Sequence, residues 1–229
     1  MRKTIKALLE SDNESRNIEN LLQHVNRGSR VLDVGCGYGE KIHLLNKLGF
    51  YNIMGIEKNQ NIVKISQSKG LDIIHSDDFD RICSNEQFDL IMFSHIIEHF
   101  NYNDLLPFME SYLSLSKNGS LVLIVSPIMS AFFYDDFDHV KPYHPAGIAH
   151  VFSGGGRQVQ FYSRYKLILK DIYFRRMPFH FFRYSRHNYL GNYNYFIIGI
   201  NLIASILFRI SGSRIGRVTG WSGLYSVHY

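Results

Sequence analysis

Two groups of residues in this 229-residue chain have types and spacing suited to chemistry. The first is Asp33-Val34-Gly35-Cys36-Gly37-Tyr38-Gly39. Glycines at alternate positions let a backbone turn sharply and let a ligand approach it, because no Cβ stands in the way. Where such a loop opens a helix, its oriented amides can receive a negative group. Glu57 stands twenty positions beyond Gly37, where a carboxylate can accept from both hydroxyls of a ribose. Ser76-Asp77-Asp78-Phe79 adds an acid suited to an adenine amino group and an apolar neighbour suited to its ring. The second group is richer in proton chemistry. His95, Glu98 and His99 have i, i+3, i+4 spacing and would share one face of a helix. His139, Tyr143 and His144 follow later. Either His99 or His139 suits a general base near neutral pH. In a competing arrangement His95, Glu98, His99 and His139 hold a metal that polarises an acceptor hydroxyl.

These residues must be held by regular elements, and the apolar pattern supplies them. Ile18, Leu21, Leu22 and Val25 have helical spacing. Arg30–Val34 reads as a short strand running into the glycine loop, and Leu44, Leu45 and Leu48 mark the helix after it. Strands are expected at Asn52–Glu57, Leu71–Ile74 and Phe88–Phe93, with helical spacing again from Leu105 to Leu115. Leu121–Val125 is an apolar run suited to a strand buried on both faces. Such alternation implies a parallel sheet with right-handed crossovers and helices on both faces, an α/β fold. It stops after Ser126-Pro127, and two further strands are expected at Tyr165–Phe174 and Gly223–Tyr229.

The glycine spacing is G-x-G-x-G, not the G-x-G-x-x-G of a dinucleotide loop. Taken in order with Glu57, Asp77-Asp78-Phe79 and Phe88-Asp89-Leu90-Ile91-Met92-Phe93-Ser94-His95-Ile96-Ile97-Glu98-His99, the chain from Ser29 to Val151 resembles the class I S-adenosylmethionine-dependent methyltransferases, in their type 11/23 small-molecule branch. The resemblance implies a Rossmann-like sheet of seven strands, mostly parallel, whose last strand is antiparallel. It implies S-adenosylmethionine as cofactor, with a pocket built from Asp33, Gly35, Cys36, Gly37, Gly39, Glu57, Lys58, Asp77, Asp78, Phe79, Ser94 and His95. Cys36 is read as packing and not as a nucleophile. The run Asp138-His139-Val140-Lys141-Pro142-Tyr143 resembles a His-Val-Arg-Pro-Tyr segment that lies over the active site in type 11 enzymes, which brings Tyr143 into the catalytic set with Glu98, His99 and His139. The four-residue metal arrangement is similar to Glu-x-x-Glu-His plus a later His in some methyltransferases, but His95 stands where that pattern has its first acid. A reading without metal, in which Glu98 and His99 brace the loop, is therefore preferred. No Asn/Asp-Pro-Pro-Tyr/Phe follows the fourth strand, and no cysteine stands beside it, which counts against methylation of nucleic-acid bases.

The formal net charge of +5 is unevenly spread. From Arg157 to Tyr229 there are 11 Lys and Arg against the single acid Asp171, whereas residues 1–156 carry an acidic balance. The methyltransferase domain is expected to comprise residues 1–174 and 222–229, interrupted by a basic, aromatic insert at 175–221. Within it, Tyr195–Ile210 would form a helix about 24 Å long at ~1.5 Å per residue, short of a ~30 Å hydrocarbon core. Three occupants suit this insert: the body of the domain or a homodimer partner, an anionic membrane surface, or RNA. The expected acceptor is a small or lipid-linked molecule methylated on oxygen or nitrogen. An RNA methyltransferase and a catalytically silent binding module are the rivals. Two cysteines, Cys36 and Cys83, form no disulfide framework, and the basic start of the chain leads to no apolar leader core. The expected location is the cytoplasm, with the inner face of a membrane as the peripheral alternative.

Overall fold

The computed structural model describes residues 12–79, 81, 86–155, 160–191 and 194–229. Cys83, Arg157 and the basic start of the chain lie outside them. Seven strands form one sheet: β1 (Val31–Val34), β2 (Ile53–Glu57), β3 (Ile73–His75), β4 (Phe88–Ser94), β5 (Ser116–Pro127), β6 (Lys166–Met177) and β7 (Arg217–His228). Their spatial order is β3-β2-β1-β4-β5-β7-β6. Strands β1 to β5 are parallel, β7 is antiparallel to both of its neighbours, and β6 therefore runs in the same direction as the first five.

Period-two alternation divides the apolar residues between two cores. Leu90 and Met92 of β4, with Leu123 and Val125 of β5, pack on one face against Ile18, Leu22, Leu45 and Phe50. Ile91, Phe93, Val122 and Ile124 face the other way and meet Met109, Leu113, Trp221 and Tyr225. The helices that cover the first face include α1 (Glu14–Leu22) and α2 (Glu40–Lys47); α4 (Tyr102–Leu113) covers the second. α3 (Gln60–Ser68) begins at Asn59, whose side chain accepts from the amides of Asn61 and Ile62. α4 is capped in the same way by Asn101.

The C-terminal hairpin is longer than the sequence suggested. β6 continues to Met177 and β7 begins at Arg217, through the pairs Arg175↔Gly220, Arg176↔Val218 and Met177↔Arg217. The segment between the strands is thus 178–216 and not 175–221. Gly220 makes the extra pairing possible, since a Cβ there would lie 2.9 Å from Arg175 Nε and 2.9 Å from the Ser126 carbonyl. The intervening segment holds α6 (Arg186–Tyr189) and α7 (Tyr195–Ile210), preceded in the chain by the short α5 (Pro145–Val151). Among the described residues, no helix is long and apolar enough to cross a membrane.

Candidate active site

β1 and β4 are neighbours, yet their connections leave toward opposite faces of the sheet, so a crevice opens beyond their carboxyl ends. The glycine loop enters it from β1 and Ser94-His95 from β4. Gly35, Gly37 and Gly39 all have positive φ (73°, 53° and 81°), where side chains are strained. At Gly35 and Gly39 space is also denied: a Cβ would lie 2.7 Å from Ile96 Cδ1 and 2.4 Å from Leu71 Cδ1. At Gly37 a Cβ would meet nothing within 4 Å. That position is open for a ligand to approach.

Glu57 fixes the loop from the tip of β2. Its Oε2 accepts from the Gly37 amide at 3.1 Å and its Oε1 from the Asn59 amide at 2.8 Å. Asp33 lies beneath, only 1% exposed, and neither of its carboxylate oxygens has a hydrogen-bond partner. Burial pushes its carboxyl up to about 7, with the charge of Lys41 opposing. Ser94 Oγ is likewise buried and unpartnered. Asp33 and Ser94 line a hollow of about 260 Å³ together with the glycine loop, Lys41 and His95. Buried polar atoms are rarely left without partners, so these call for a ligand carrying donors, and the ammonium of S-adenosylmethionine fits. Cys36 borders the same hollow, but burial and the nearby charges of Asp33 and Glu57 raise its thiol far above the ordinary range, so it stays protonated.

A larger cavity of about 800 Å³ adjoins, lined by Glu57, Lys58, Ile62 and Ser76 on one side and by Ile96, Phe100, Phe108 and Tyr112 on the other. It suits an adenosyl group, with an apolar wall different from the expected one. Phe79 is buried in the core, its ring 5.2 Å from that of Tyr112. Asp77 follows Ser76 with its carboxylate in solvent, while Asp78 pairs with Arg81 at 2.8 Å. His75 ties the region together: Nε2 donates to the Lys58 carbonyl at 2.8 Å and Nδ1 accepts from the Asp77 amide at 3.2 Å.

His95 is the hub of the site. Its backbone is left-handed (φ 53°), a conformation uncommon without glycine and often found where function requires it. Both ring nitrogens donate to carboxylates: Nε2 to Glu14 at 2.9 Å and Nδ1 to Glu98 at 3.2 Å. Burial alone would lower its basicity, but the two hydrogen bonds and the two negative charges outweigh it and raise the ring to about 9. At neutral pH it is an imidazolium, which is neither a base nor a metal ligand. Glu14 also receives Lys41 at 2.6 Å and Arg175 at 2.9 Å. Burial works to raise the Glu14 carboxyl, yet these three cations hold it far below the usual carboxylate range. Glu14, Lys41 and Arg175 did not stand out in the sequence; the only hint was an acid at the start of a helix.

Glu98, fully buried, accepts from Ser126 Oγ at 3.3 Å, and its carbonyl receives the amides of Val140 and Lys141. That brings the 130–141 loop over the crevice. His99 Nδ1 donates to the Asp138 carbonyl at 3.0 Å and His139 Nδ1 to the Phe133 carbonyl at 2.6 Å. A carbonyl can only accept, so each neutral ring keeps its lone pair on Nε2. His139 Nε2 lies 3.9 Å from Glu98. Ligand atoms of Glu98, His99 and His139 all fall within 4.8 Å of one another, and His95 is outside this group. Tyr143 is set apart: its hydroxyl donates to the Phe100 carbonyl at 3.1 Å, burial raises it to about 12, and its own carbonyl receives Trp221 Nε1. His144 caps α5 through its ring.

A third cavity, about 340 Å³, is lined by His95, His99, Phe132, Phe133, His139 and Arg175, among others. His95 and His99 therefore border both this cavity and the large one.

Comparison with known proteins follows the same lines. The type 23 family model described as "Methyltransferase domain" matches residues 4–194. The ribosomal protein L11 methyltransferase of Porphyromonas gingivalis (strain ATCC BAA-308 / W83) is 32% identical over 111 residues, which are 48% of this chain and 37% of that protein. The chain thus spans little more than a third of that relative. Among solved structures, a SAM-dependent methyltransferase from Archaeoglobus fulgidus superimposes with a TM-score of 0.59 at 22% identity, covering 93% of this chain and 92% of its own. The plantazolicin methyltransferase BpumL, in complex with SAH, gives 0.51 at 14% identity, with 97% and 84% covered. At these identities the structural likeness speaks for the fold.

Proposed function

We propose that this chain, which belongs to the methyltransferase domain family, is an S-adenosylmethionine-dependent methyltransferase that methylates an oxygen or nitrogen of a small or lipid-linked acceptor seated in the 340 Å³ cavity. When bound, the cofactor supplies a sulfonium methyl open to in-line displacement. Asp33, Ser94 and the glycine loop would hold its amino-acid end, and Glu57 its ribose. The observation that carries the acceptor reading is His99, which lines both the cofactor cavity and the smaller one. Its Nδ1–H is held by the Asp138 carbonyl, so its Nε2 lone pair is the one available to take a proton from the acceptor. His139 and Glu98 position the loop behind it. Arg175 and His95, both paired with Glu14, border the same cavity together with Asp136, Phe132 and Phe133.

Incubation with methyl-labelled S-adenosylmethionine and fractionated cell extract tests this reading. Label should enter a low-mass or lipid fraction, and His99→Gln should reduce the rate by about 10²–10⁴-fold without changing S-adenosylhomocysteine affinity. Label in RNA with steep salt dependence would establish the RNA rival instead. No label at all, with cofactor bound, would leave a silent binding module.

One observation favours a second reading. Ligand atoms of Glu98, His99 and His139 lie within 4.8 Å of one another, a grouping that a divalent cation could bridge if it displaced the His95 and Ser126 hydrogen bonds to Glu98. Calorimetry with zinc or manganese, lost in His139→Ala, would support it; absence of binding would remove it.

A further inference from the structure

Helix α7 is built inside out. Its inward stripe is Ile197, Asn201, Ser205 and Phe208, and the two polar members of that stripe are consumed there. Asn201 Oδ1 accepts from the Phe181 amide at 2.7 Å, its Nδ2 donates to the Phe181 carbonyl at 3.3 Å, and Ser205 Oγ donates to the Asn201 carbonyl at 2.9 Å. The large apolar residues point outward instead: Tyr195 is 83% exposed, Ile210 79%, Phe196 68% and Ile203 59%. A helix folded against its own domain for stability alone would show the reverse pattern. The segment 178–216 that carries this face contains arginines and no Asp or Glu. Arg186, Arg209 and Arg214 within it, and Arg217 at its end, are exposed and form no ion pair among the described residues.

From this face we infer that α7 lies in the interfacial layer of a membrane rich in anionic lipid, its apolar side among the acyl chains and the arginines at the headgroups. Charge complementarity selects the occupant. A second copy docked by the same face about a two-fold axis would bring two unpaired arginine sets together, whereas anionic headgroups neutralise them, at about 1 kcal/mol for each cation near the surface. Apolar side chains flanked by cations that can reach the headgroup level are what interfacial helices present.

The same segment packs against the loop that walls the acceptor cavity. The Arg183 guanidinium lies 3.8 Å over the ring of Phe132 and pairs with Asp135, and the Tyr184 hydroxyl donates to the Ala131 carbonyl at 3.2 Å. His180 meets the Phe132 ring edge-on, with centroids 5.8 Å apart. Phe132 lines the cavity that His99 borders. Docking through α7 thus brings the loop that carries Phe132 toward the headgroup layer, which deepens the proposal of a lipid-linked acceptor and rests on it for that point alone.

Sedimentation with vesicles tests the docking. The full chain should pellet with phosphatidylcholine vesicles containing about a third phosphatidylglycerol at low salt, and about tenfold less with phosphatidylcholine alone. Ile203→Asp should abolish pelleting. Arg209→Glu and Arg214→Glu should each weaken it by fivefold or more, by the same ~1 kcal/mol per charge. S-adenosylhomocysteine affinity, measured on each variant, should stay at the wild-type value and so report an intact fold. Failure of wild type to pellet with the anionic vesicles would overturn the inference, as would a dimer that Ile203→Asp dissociates. In either case intact cofactor binding and methyl transfer would leave the proposed reaction standing.

Discussion

Glu14 and His95, 81 residues apart in the chain, meet at 2.9 Å and form the centre of a four-way charge cluster with Lys41 and Arg175. The cluster joins α1, α2, the β4 loop and β6 at the point where the cofactor and acceptor cavities touch. It fixes the edge of the sheet where the crevice opens, and it does so with groups that contribute only when charged.

Glu14→Gln should therefore cost roughly 3 kcal/mol of unfolding free energy, since it leaves three cations around a neutral amide. The pH dependence follows from the two shifts. His95 rises from 6.5 to about 9 on folding, so its contribution is complete below pH 6.5 and disappears as pH climbs through 9. The Glu14 carboxyl falls from 4.5 on folding, so its contribution is complete above pH 4.5 and is lost on acidification. Urea unfolding should show the difference between wild type and Glu14→Gln at its widest between pH 4.5 and 6.5, and shrinking toward pH 10. A difference that stays constant to pH 10 would contradict the role given to His95.

Asp33→Asn should separate stability from binding. In the ligand-free protein an unpartnered buried carboxylate is a burden, and at pH 8 its removal should raise stability by on the order of 1–2 kcal/mol. With the charge gone, affinity for S-adenosylhomocysteine should fall by 10-fold or more. Thermal melts with and without the ligand would show opposite signs; a loss of stability in both would refute the assignment.

Cofactor affinity of the wild-type chain should itself depend on pH. With Asp33 raised to about 7 in the free site, a proton must leave before a cationic amino group can pair with it. Titration calorimetry should find weaker binding below pH 7, approaching tenfold per unit, and a plateau above pH 8.

Gly37→Ala and Gly39→Ala distinguish strain from collision. Both positions have positive φ, which should cost about 1 kcal/mol for alanine. Only Gly39 faces a neighbour, Leu71 Cδ1 at 2.4 Å, so its variant should lose a further 1–3 kcal/mol as the Leu71 contact is forced apart. Gly37→Ala should keep most of its stability and instead lose cofactor affinity, because its Cβ would occupy space open to the ligand.

Local patterns carried most of what the sequence revealed. The glycine loop, Glu57 and the order of strands were legible because each depends on a few neighbouring residues and on periods of two or 3.6. The seven-stranded sheet with its reversed β7 agrees with what the family resemblance implied. The cluster on Glu14 was not legible, because Glu14 and Arg175 stand 161 residues apart and neither carries a motif. Phe79 shows a different limit. Its place after the acids suggested a cover for an adenine ring, but a short 3-10 turn at Ser76–Asp78 directs it inward onto Tyr112. The end of the insert was misjudged for a related reason: Arg217–Gly220 has no strand-like pattern, and its pairing with β6 depends on Gly220 leaving room for Arg175.

Because β7 alone is reversed, β6 ends on the same edge of the sheet as β1 and β4, and the hairpin connection emerges on the edge where the crevice opens. Whatever is spliced between Met177 and Arg217 leaves the sheet beside the cavity that Met177 lines, without passing through either core. The fold thus keeps two kinds of change apart. On the proposed reading, residues at the tips of β1, β2 and β4 are tied to one donor, while a change in the 178–216 segment would alter which acceptors arrive and from what surroundings.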